Sequence, residues 1–433
     1  MFKRHLWLPV VFLFFSIAQP AAAEHRFIVR TTLGPSGLNL TCLLHACTVV
    51  RSLDNSLNQL FLVTTSDLVD PNLFLSVLRL LPGIVDAELD QLLTIGGGLA
   101  TIVNPPPELS QTCPINYYGG LVWQGYAIQP ATQIIRLSDA QNSFAVTGNG
   151  IVADIDTGVD PNHPVLYPVL LPGYDFTRNQ PGGSEMNDLP AGTPYVETPC
   201  ASCTPGQVNQ HSVAMVDQHS VAMVDGPQYA AFGHGTMVAG VIHLVAPTSL
   251  ILPAKAFHPD GTGYLSDILR AVYYVVGQGA NVINMSFDFT SPSPELQVAI
   301  TYANQNNVIC VASVGNNGQA TITYPASFAT VMGVASTSDS DTRSSFSNYG
   351  SDVWLAAPGE NIVTTYPFGT YAAGSGTSFS SPFVSGGAAL LQALRPGLNP
   401  ADASQAIAHA KQLTPDLGHG RLDLYLGLDS LYP

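Results

Sequence analysis

The chain has 433 residues, 46% of them apolar and only 10% charged, a composition that supports a large core and excludes a disordered chain. With 14 Lys and Arg against 30 Asp and Glu the net charge is −16, which argues against a nucleic-acid partner and bears on solubility more than on any particular substrate.

In chain order, residues 1–23 have the form of a secretory signal. Lys3, Arg4 and His5 are basic, 6–18 is an apolar run, and Ala21, Ala22 and Ala23 are small enough for cleavage. The run is shorter than a comfortable bilayer span; the alternative is an uncleaved anchor. No other segment is long and apolar enough to cross a membrane. An exported protein, extracellular or periplasmic, with no membrane attachment after signal removal is therefore expected.

Residues 24–95 read as a small α+β domain. Strands are expected at 26–30, 59–64 and 84–89, and a helix over 73–81 that closes at Pro82-Gly83. Residues 96–112 read as a linker, with Gly96-Gly97-Gly98 and then Pro105-Pro106-Pro107, semi-rigid and open to proteolysis.

From 113 to 433 strands alternate with helices. Strands are expected at 150–156, around 250–252, and at 281–286, 308–314 and 331–335; helices at 265–277, 296–304 and after Ser378. The expected fold class is α/β, with a mostly parallel central sheet covered by helices on both faces. Functional residues then belong at the C-terminal ends of strands. A long polar loop, 177–231, interrupts the pattern. Within it 210–217 repeats as 218–225, too few copies for a solenoid. His211 and His219 in that repeat are not expected to bind metal.

The six cysteines are Cys42, Cys47, Cys113, Cys200, Cys203 and Cys310. Export permits disulfides, and Cys42 with Cys47, or Cys200 with Cys203, could form local clips, but connectivity does not follow from sequence.

Four stretches carry chemistry. In Gly374-Ser375-Gly376-Thr377-Ser378 a serine follows a glycine-rich turn and opens an apolar helix, where free N–H groups favour a developing negative charge. Pro382 is read as early enough in that helix for its missing N–H to cost little. Asp156 ends a buried strand ahead of Thr157-Gly158. His234 lies between Gly233 and Gly235 at the start of a tightly packed helix, so something must approach it closely. Asn316 follows Gly315 just past a strand end. Taken singly these are an N-cap serine, a turn aspartate, a structural histidine and a turn asparagine. Taken together they supply a nucleophile, its base, the acid that holds the base's tautomer, and an oxyanion donor.

On these motifs the chain resembles the subtilisin-like serine proteases, the subtilases of peptidase family S8. Asp-Thr-Gly, Gly-His-Gly-Thr and Gly-Thr-Ser stand around Asp156, His234 and Ser378 in that chain order, which is the order of subtilisin. Gly315-Asn316, the stretch 281–286, Tyr324-Pro325-Ala326 and the stretch 418–423 add to the likeness, which covers roughly 115–433. It implies a serine endopeptidase. Ser378 would be the nucleophile, His234 the base, Asp156 its orienting acid, and Asn316 with the Ser378 N–H the oxyanion hole. Substrate would bind at Gly263, Ser286, Phe287, Asp288, Ala312 and Gly315, with peptide added as a strand beside 284–288.

The partners implied are protein or peptide substrates and the chain's own propeptide, which 24–95 resembles more loosely; cleavage is expected between about 92 and 118. No cofactor is required for the chemistry. Many relatives bind structural calcium, but no calcium loop can be matched here residue by residue. The chain departs from the family at Phe287-Asp288-Phe289, where Leu-Gly-Gly is usual, and at Met237, which replaces a second His. The competing readings are an inactive subtilisin-like fold used for binding, and a serine esterase.

Overall fold

A computed structural model describes residues 24–95, 106–191 and 227–432. The signal-like segment, most of the linker, Cys200, Cys203 and the tandem repeat lie outside the described residues.

The first unit contains β1 (Glu24–Thr31), α1 (Gly34–Leu44), β2 (Cys47–Ser52), β3 (Leu60–Ser66), α2 (Pro71–Leu78), β4 (Ile84–Leu89) and β5 (Leu92–Thr94). Four of its strands form an antiparallel sheet in the order β2-β3-β1-β4. Strand period sorts β1 between two cores. Phe27 and Val29 join Leu38, Phe61, Val63, Phe74 and Leu78 under α1 and α2. Ile28, with Leu60 and Leu62, faces the larger domain. Here α1 and β2 are additions to the sequence reading. Leu40, Leu43 and Leu44 are exposed, so α1 shows no clean apolar stripe to read. A Cys42–Cys47 disulfide clips α1 to β2, while Cys113 and Cys310 are free thiols.

The larger domain begins with the hairpin β6 (Pro114–Tyr117) and β7 (Gly120–Trp123) and the short helices α3 (Gln124–Ala127), α4 (Pro130–Ile134) and α5 (Leu137–Phe144). Then follow β8 (Ile151–Asp156), β9 (Tyr174–Asp175), β10 (Gln180–Pro181), α6 (His234–Val245), β11 (Leu250–Lys255), β12 (Thr262–Tyr264), α7 (Leu265–Gly277), β13 (Val282–Met285), α8 (Pro294–Gln305), β14 (Ile309–Ser313) and β15 (Val331–Thr337). The chain closes with β16 (Leu355–Pro358), the hairpin β17 (Ile362–Tyr366) and β18 (Thr370–Gly374), then α9 (Thr377–Leu394), α10 (Pro400–Ile407) and α11 (Leu424–Asp429).

The central sheet runs β10-β9-β11-β8-β13-β14-β15-β16, and every pair in it is parallel except β10–β9. One apolar cluster unites α6 and α9 with one face; a second unites α7 and α8 with the other. The α/β class is as the alternation implied, with helices on both faces. Small residues let α6 and α9 approach closely: a Cβ on Gly386 would lie 2.6 Å from Val245 Cβ. Asp156 ends β8, Ser286 follows β13 and Asn316 follows β14, so two of the four singled-out stretches, together with Ser286, lie at the C-terminal ends of the sheet's strands.

The first unit docks on α7 and α8 through side chains that complete those helices' N-termini. Asp90 accepts from Ser266 N and Ser266 Oγ, both at 2.8 Å, and pairs with Arg26. Glu88 accepts from Ser293 Oγ at 2.7 Å and from Glu295 N at 3.3 Å. Arg30 pairs with Glu295. Carboxylates at these points satisfy N–H groups that lack a partner within the helix and face the positive end of its dipole. Finally, β5 pairs antiparallel with β12, Leu93 opposite Gly263. Among the described residues no helix is long and apolar enough to span a bilayer.

Candidate active site

The strand end at Asp156 and the start of α6 are locked together by backbone proximity. A Cβ on Gly235 would lie 2.2 Å from Gly158 O, and one on Gly233, at φ +89°, would lie 2.3 Å from the Tyr366 ring. The close neighbours that the two glycines admit are therefore the Asp156 turn and Tyr366. This packing sets the His234 ring against the Asp156 carboxylate, with Nδ1 2.7 Å from Oδ1 and 2.9 Å from Oδ2. Nδ1 donates, which leaves Nε2 as the imidazole's acceptor; Nε2 is buried and has no hydrogen-bond partner among the described residues.

Ser378 is the second residue of α9, which packs along α6. The ring of Phe379, next to Ser378, is centred 6.0 Å from the imidazole. Ser378 Oγ donates to Ser286 O at 3.2 Å, and no hydrogen bond to His234 is formed. Catalytic hydrogen bonds of this kind are commonly long before substrate binds.

Pro382 is not where the sequence reading put it. It is the sixth residue of α9, deep enough that its N–H would have bonded the Ser378 carbonyl. Ser286 Oγ supplies that bond instead, at 2.9 Å. Asn284 Nδ2 in turn donates to Ser286 Oγ and to Asp154 Oδ1, and Ser385 Oγ donates to Asn284 Oδ1. Burial first, and then the nearby Asp156, holds the Asp154 carboxyl well above the usual carboxylate range.

Asn316 Oδ1 accepts from Thr377 N at 2.8 Å and Thr377 Oγ1 at 2.9 Å. That fixes the amide and leaves its Nδ2–H group free to donate beside the start of α9. Gly315, at φ +101°, sits against Asp288: a Cβ there would lie 3.1 Å from Asp288 Oδ2 and 2.5 Å from Asn348 Nδ2.

The residues expected to bind substrate fall into three sets. Gly263 lies on β12 and is covered by Leu93 of the chain's own β5. Ser286, Asp288 and Gly315 surround the start of α9 and the Asn316 loop. Phe287 and Ala312, by contrast, have core side chains. The Phe287 ring packs 5.1 Å from that of Phe257, and Ala312 pairs with Met285 and Gly333 inside the sheet. Any part they take in binding is through the backbone. Asp288 is only 7% exposed, so its carboxyl does not point to solvent. Burial pushes its carboxyl up to about 6, opposed by a hydrogen bond with Thr323.

Sequence reasoning missed Glu185 and Lys255. Both are fully buried below the Asp156 turn, and neither belongs to a recognisable motif. Among the described residues no group of three or more His, Cys, Asp or Glu side chains is arranged to hold a metal ion.

A parallel sheet with helices on both faces, and a buried Asp–His pair beside a helix-borne serine, define a subtilisin-like α/β architecture. The subtilase family pattern matches residues 148–428, and the chain belongs to that family. It is 34% identical over 278 residues to a thermophilic serine proteinase of Bacillus sp. (strain AK1), covering 63% of this chain and 60% of that protein. It is 35% identical over 240 residues to thermitase of Thermoactinomyces vulgaris, covering 55% of this chain and 74% of thermitase. The chain thus spans three-fifths to three-quarters of these relatives. Its fold is also that of fervidolysin from Fervidobacterium pennivorans, a keratinolytic enzyme related to subtilisin: the TM-score is 0.69 at 20% identity, over 94% of this chain and 61% of that one.

Proposed function

We propose that this chain is an exported serine endopeptidase that works through an acyl-enzyme intermediate. His234 takes the Ser378 hydroxyl proton through Nε2 as Oγ attacks the scissile carbonyl, then returns it to the leaving amine. Asp156 holds the Nδ1–H tautomer and stabilises the imidazolium. The oxyanion is met by Asn316 Nδ2 and the Ser378 N–H at the start of α9. Water then repeats the cycle on the acyl group with His234 again as base.

The observation that carries this reading is the paired contact from His234 Nδ1 to both Asp156 oxygens, which leaves Nε2 buried and unpartnered near Ser378. Membership of the subtilase family supports it independently. In the same reading, residues 1–23 direct export and 24–95 form an inhibitory propeptide. The β5–β12 pairing supports the latter, because it lays the end of the first unit as an added strand along Gly263. Substrates are proteins or peptides. Digestion of casein by wild type and by Ser378→Ala tests the assignment: cleavage by the first alone is expected, and equal cleavage by both would refute it.

A further inference from the structure

Resting on that reading, we propose that Glu185 is a positioning residue that sets the distance between Asp156 and His234. It is reached only by tracing hydrogen bonds outward from the pair. Glu185 begins a single 3-10 turn over Glu185–Asp188 and is fully buried. Its Oε2 accepts from Gly233 N at 2.7 Å, and its Oε1 accepts from the Thr236 hydroxyl. Gly233 and Thr236 flank His234 on either side. The Thr157 hydroxyl, one residue past Asp156, donates to Oε2 at 3.4 Å. One carboxylate therefore touches the segments that carry both members of the pair.

The hydroxyl groups are committed to this arrangement. Thr157 Oγ1 accepts from Gly235 N at 3.0 Å, and Thr236 Oγ1 accepts from Asp160 N at 2.8 Å. Their acceptor capacity is used on the backbone, and their single protons go to Glu185. Every hydrogen-bond partner of the carboxylate is thus a donor, an environment built for two acceptor oxygens. A compensating charge lies close by. The Lys255 ammonium, also fully buried, donates to Thr157 O at 2.6 Å, Phe257 O at 2.7 Å and Asp188 Oδ2 at 2.9 Å. Burial raises the Glu185 carboxyl, while the donors from Thr236 and Gly233 and the nearby Lys255 charge pull it down and favour its ionised form. The molecule keeps a desolvated carboxylate here although an apolar side chain would be simpler to bury. A positional role accounts for it: the link holds the Asp156 turn to the first turn of α6 independently of the helix packing behind it.

The test compares the full-length chain as wild type, Glu185→Gln and Glu185→Asp. Steady-state kinetics on a tetrapeptide p-nitroanilide are measured, together with the low-field proton resonance of His234 Nδ1–H. In Glu185→Gln an amide N–H₂ must face a donor, so the two segments separate. A displacement near 1 Å at a catalytic pair costs up to about 10²-fold, so kcat should fall roughly 10- to 100-fold with KM within about twofold of wild type. The Nδ1–H resonance should shift or broaden. Glu185→Asp keeps the charge but is one methylene shorter, and should lie between the two. If Glu185→Gln does not accumulate as folded protein, the Asp variant decides by the same split between kcat and KM. Folded variants with wild-type kcat and an unmoved resonance would overturn the proposal. A wild type inert to substrate and to a fluorophosphonate probe would instead refute the catalytic reading on which it rests.

Discussion

Ser286 Oγ donates to the Ser378 carbonyl at 2.9 Å and so makes the hydrogen bond that Pro382 cannot make within α9. The helix that presents the proposed nucleophile is fastened in this way to the end of β13. The strand is in turn fixed through Asn284 to Asp154, two residues before Asp156. Sheet and helix therefore hold the serine and the acid in one frame.

Ser286→Ala tests that frame. It leaves the buried Ser378 carbonyl without its donor, which should lower unfolding stability by about 1–3 kcal/mol. The measurement is urea denaturation of Ser286→Ala in a Ser378→Ala background, so that self-digestion does not intervene. Unchanged stability would mean that another donor replaces Ser286.

Asn316→Ala should lower kcat by roughly 10²–10³ with little change in KM, a magnitude that comes from subtilisin itself. Thr377→Val should do part of the same damage. It removes the 2.9 Å hydroxyl contact to Asn316 Oδ1 while leaving the 2.8 Å backbone one. A normal kcat in Asn316→Ala would show that a different group meets the oxyanion.

Asp288 should favour basic side chains near the cut and disfavour acidic ones. Its carboxyl is raised to about 6 by burial, so it is charged above that pH and neutral below it. The preference for Arg over Glu in paired peptides should therefore weaken as pH falls through about 6, and it should be lost in Asp288→Gly at any pH. An Arg-to-Glu ratio that is the same in wild type and Asp288→Gly would show that the carboxylate only shapes the loop.

Docking of the first unit should depend on pH through Glu88. Burial raises its carboxyl to about 7 from an ordinary value of 4.5, outweighing the hydrogen bond from Ser293. A group raised in the docked state contributes fully below its ordinary value, and the contribution is lost as pH rises through the raised one. Affinity of a separately added 24–95 peptide for Ser378→Ala lacking that unit should accordingly decline between about pH 4.5 and 7. The decline should be reduced in Glu88→Gln. A wild-type affinity that rises with pH over this range would contradict the assignment to Glu88.

Much of the framework was legible in the sequence because each piece is local. The strand over 151–156, the helix over 265–277 and the short motifs around Asp156, His234, Asn316 and Ser378 announce themselves by period, turn glycines and apolar runs. What was not legible depends on distant partners. The Pro382 reading erred because the compensating hydroxyl comes from residue 286, nearly a hundred positions away. Phe287 and Ala312 were assigned to substrate by their neighbours in sequence, whereas packing on Phe257 and the flanking strands takes their side chains into the core. Glu185 gave no signal at all. It belongs to an irregular loop, and its role exists only where that loop meets two other segments.

The most direct test is to treat the purified protein with a fluorophosphonate probe and map the adduct by peptide mass. The account predicts one adduct per chain, on the peptide containing Ser378, with casein digestion lost in proportion to labelling. Absence of an adduct on that peptide, while casein is still cleaved, would contradict it.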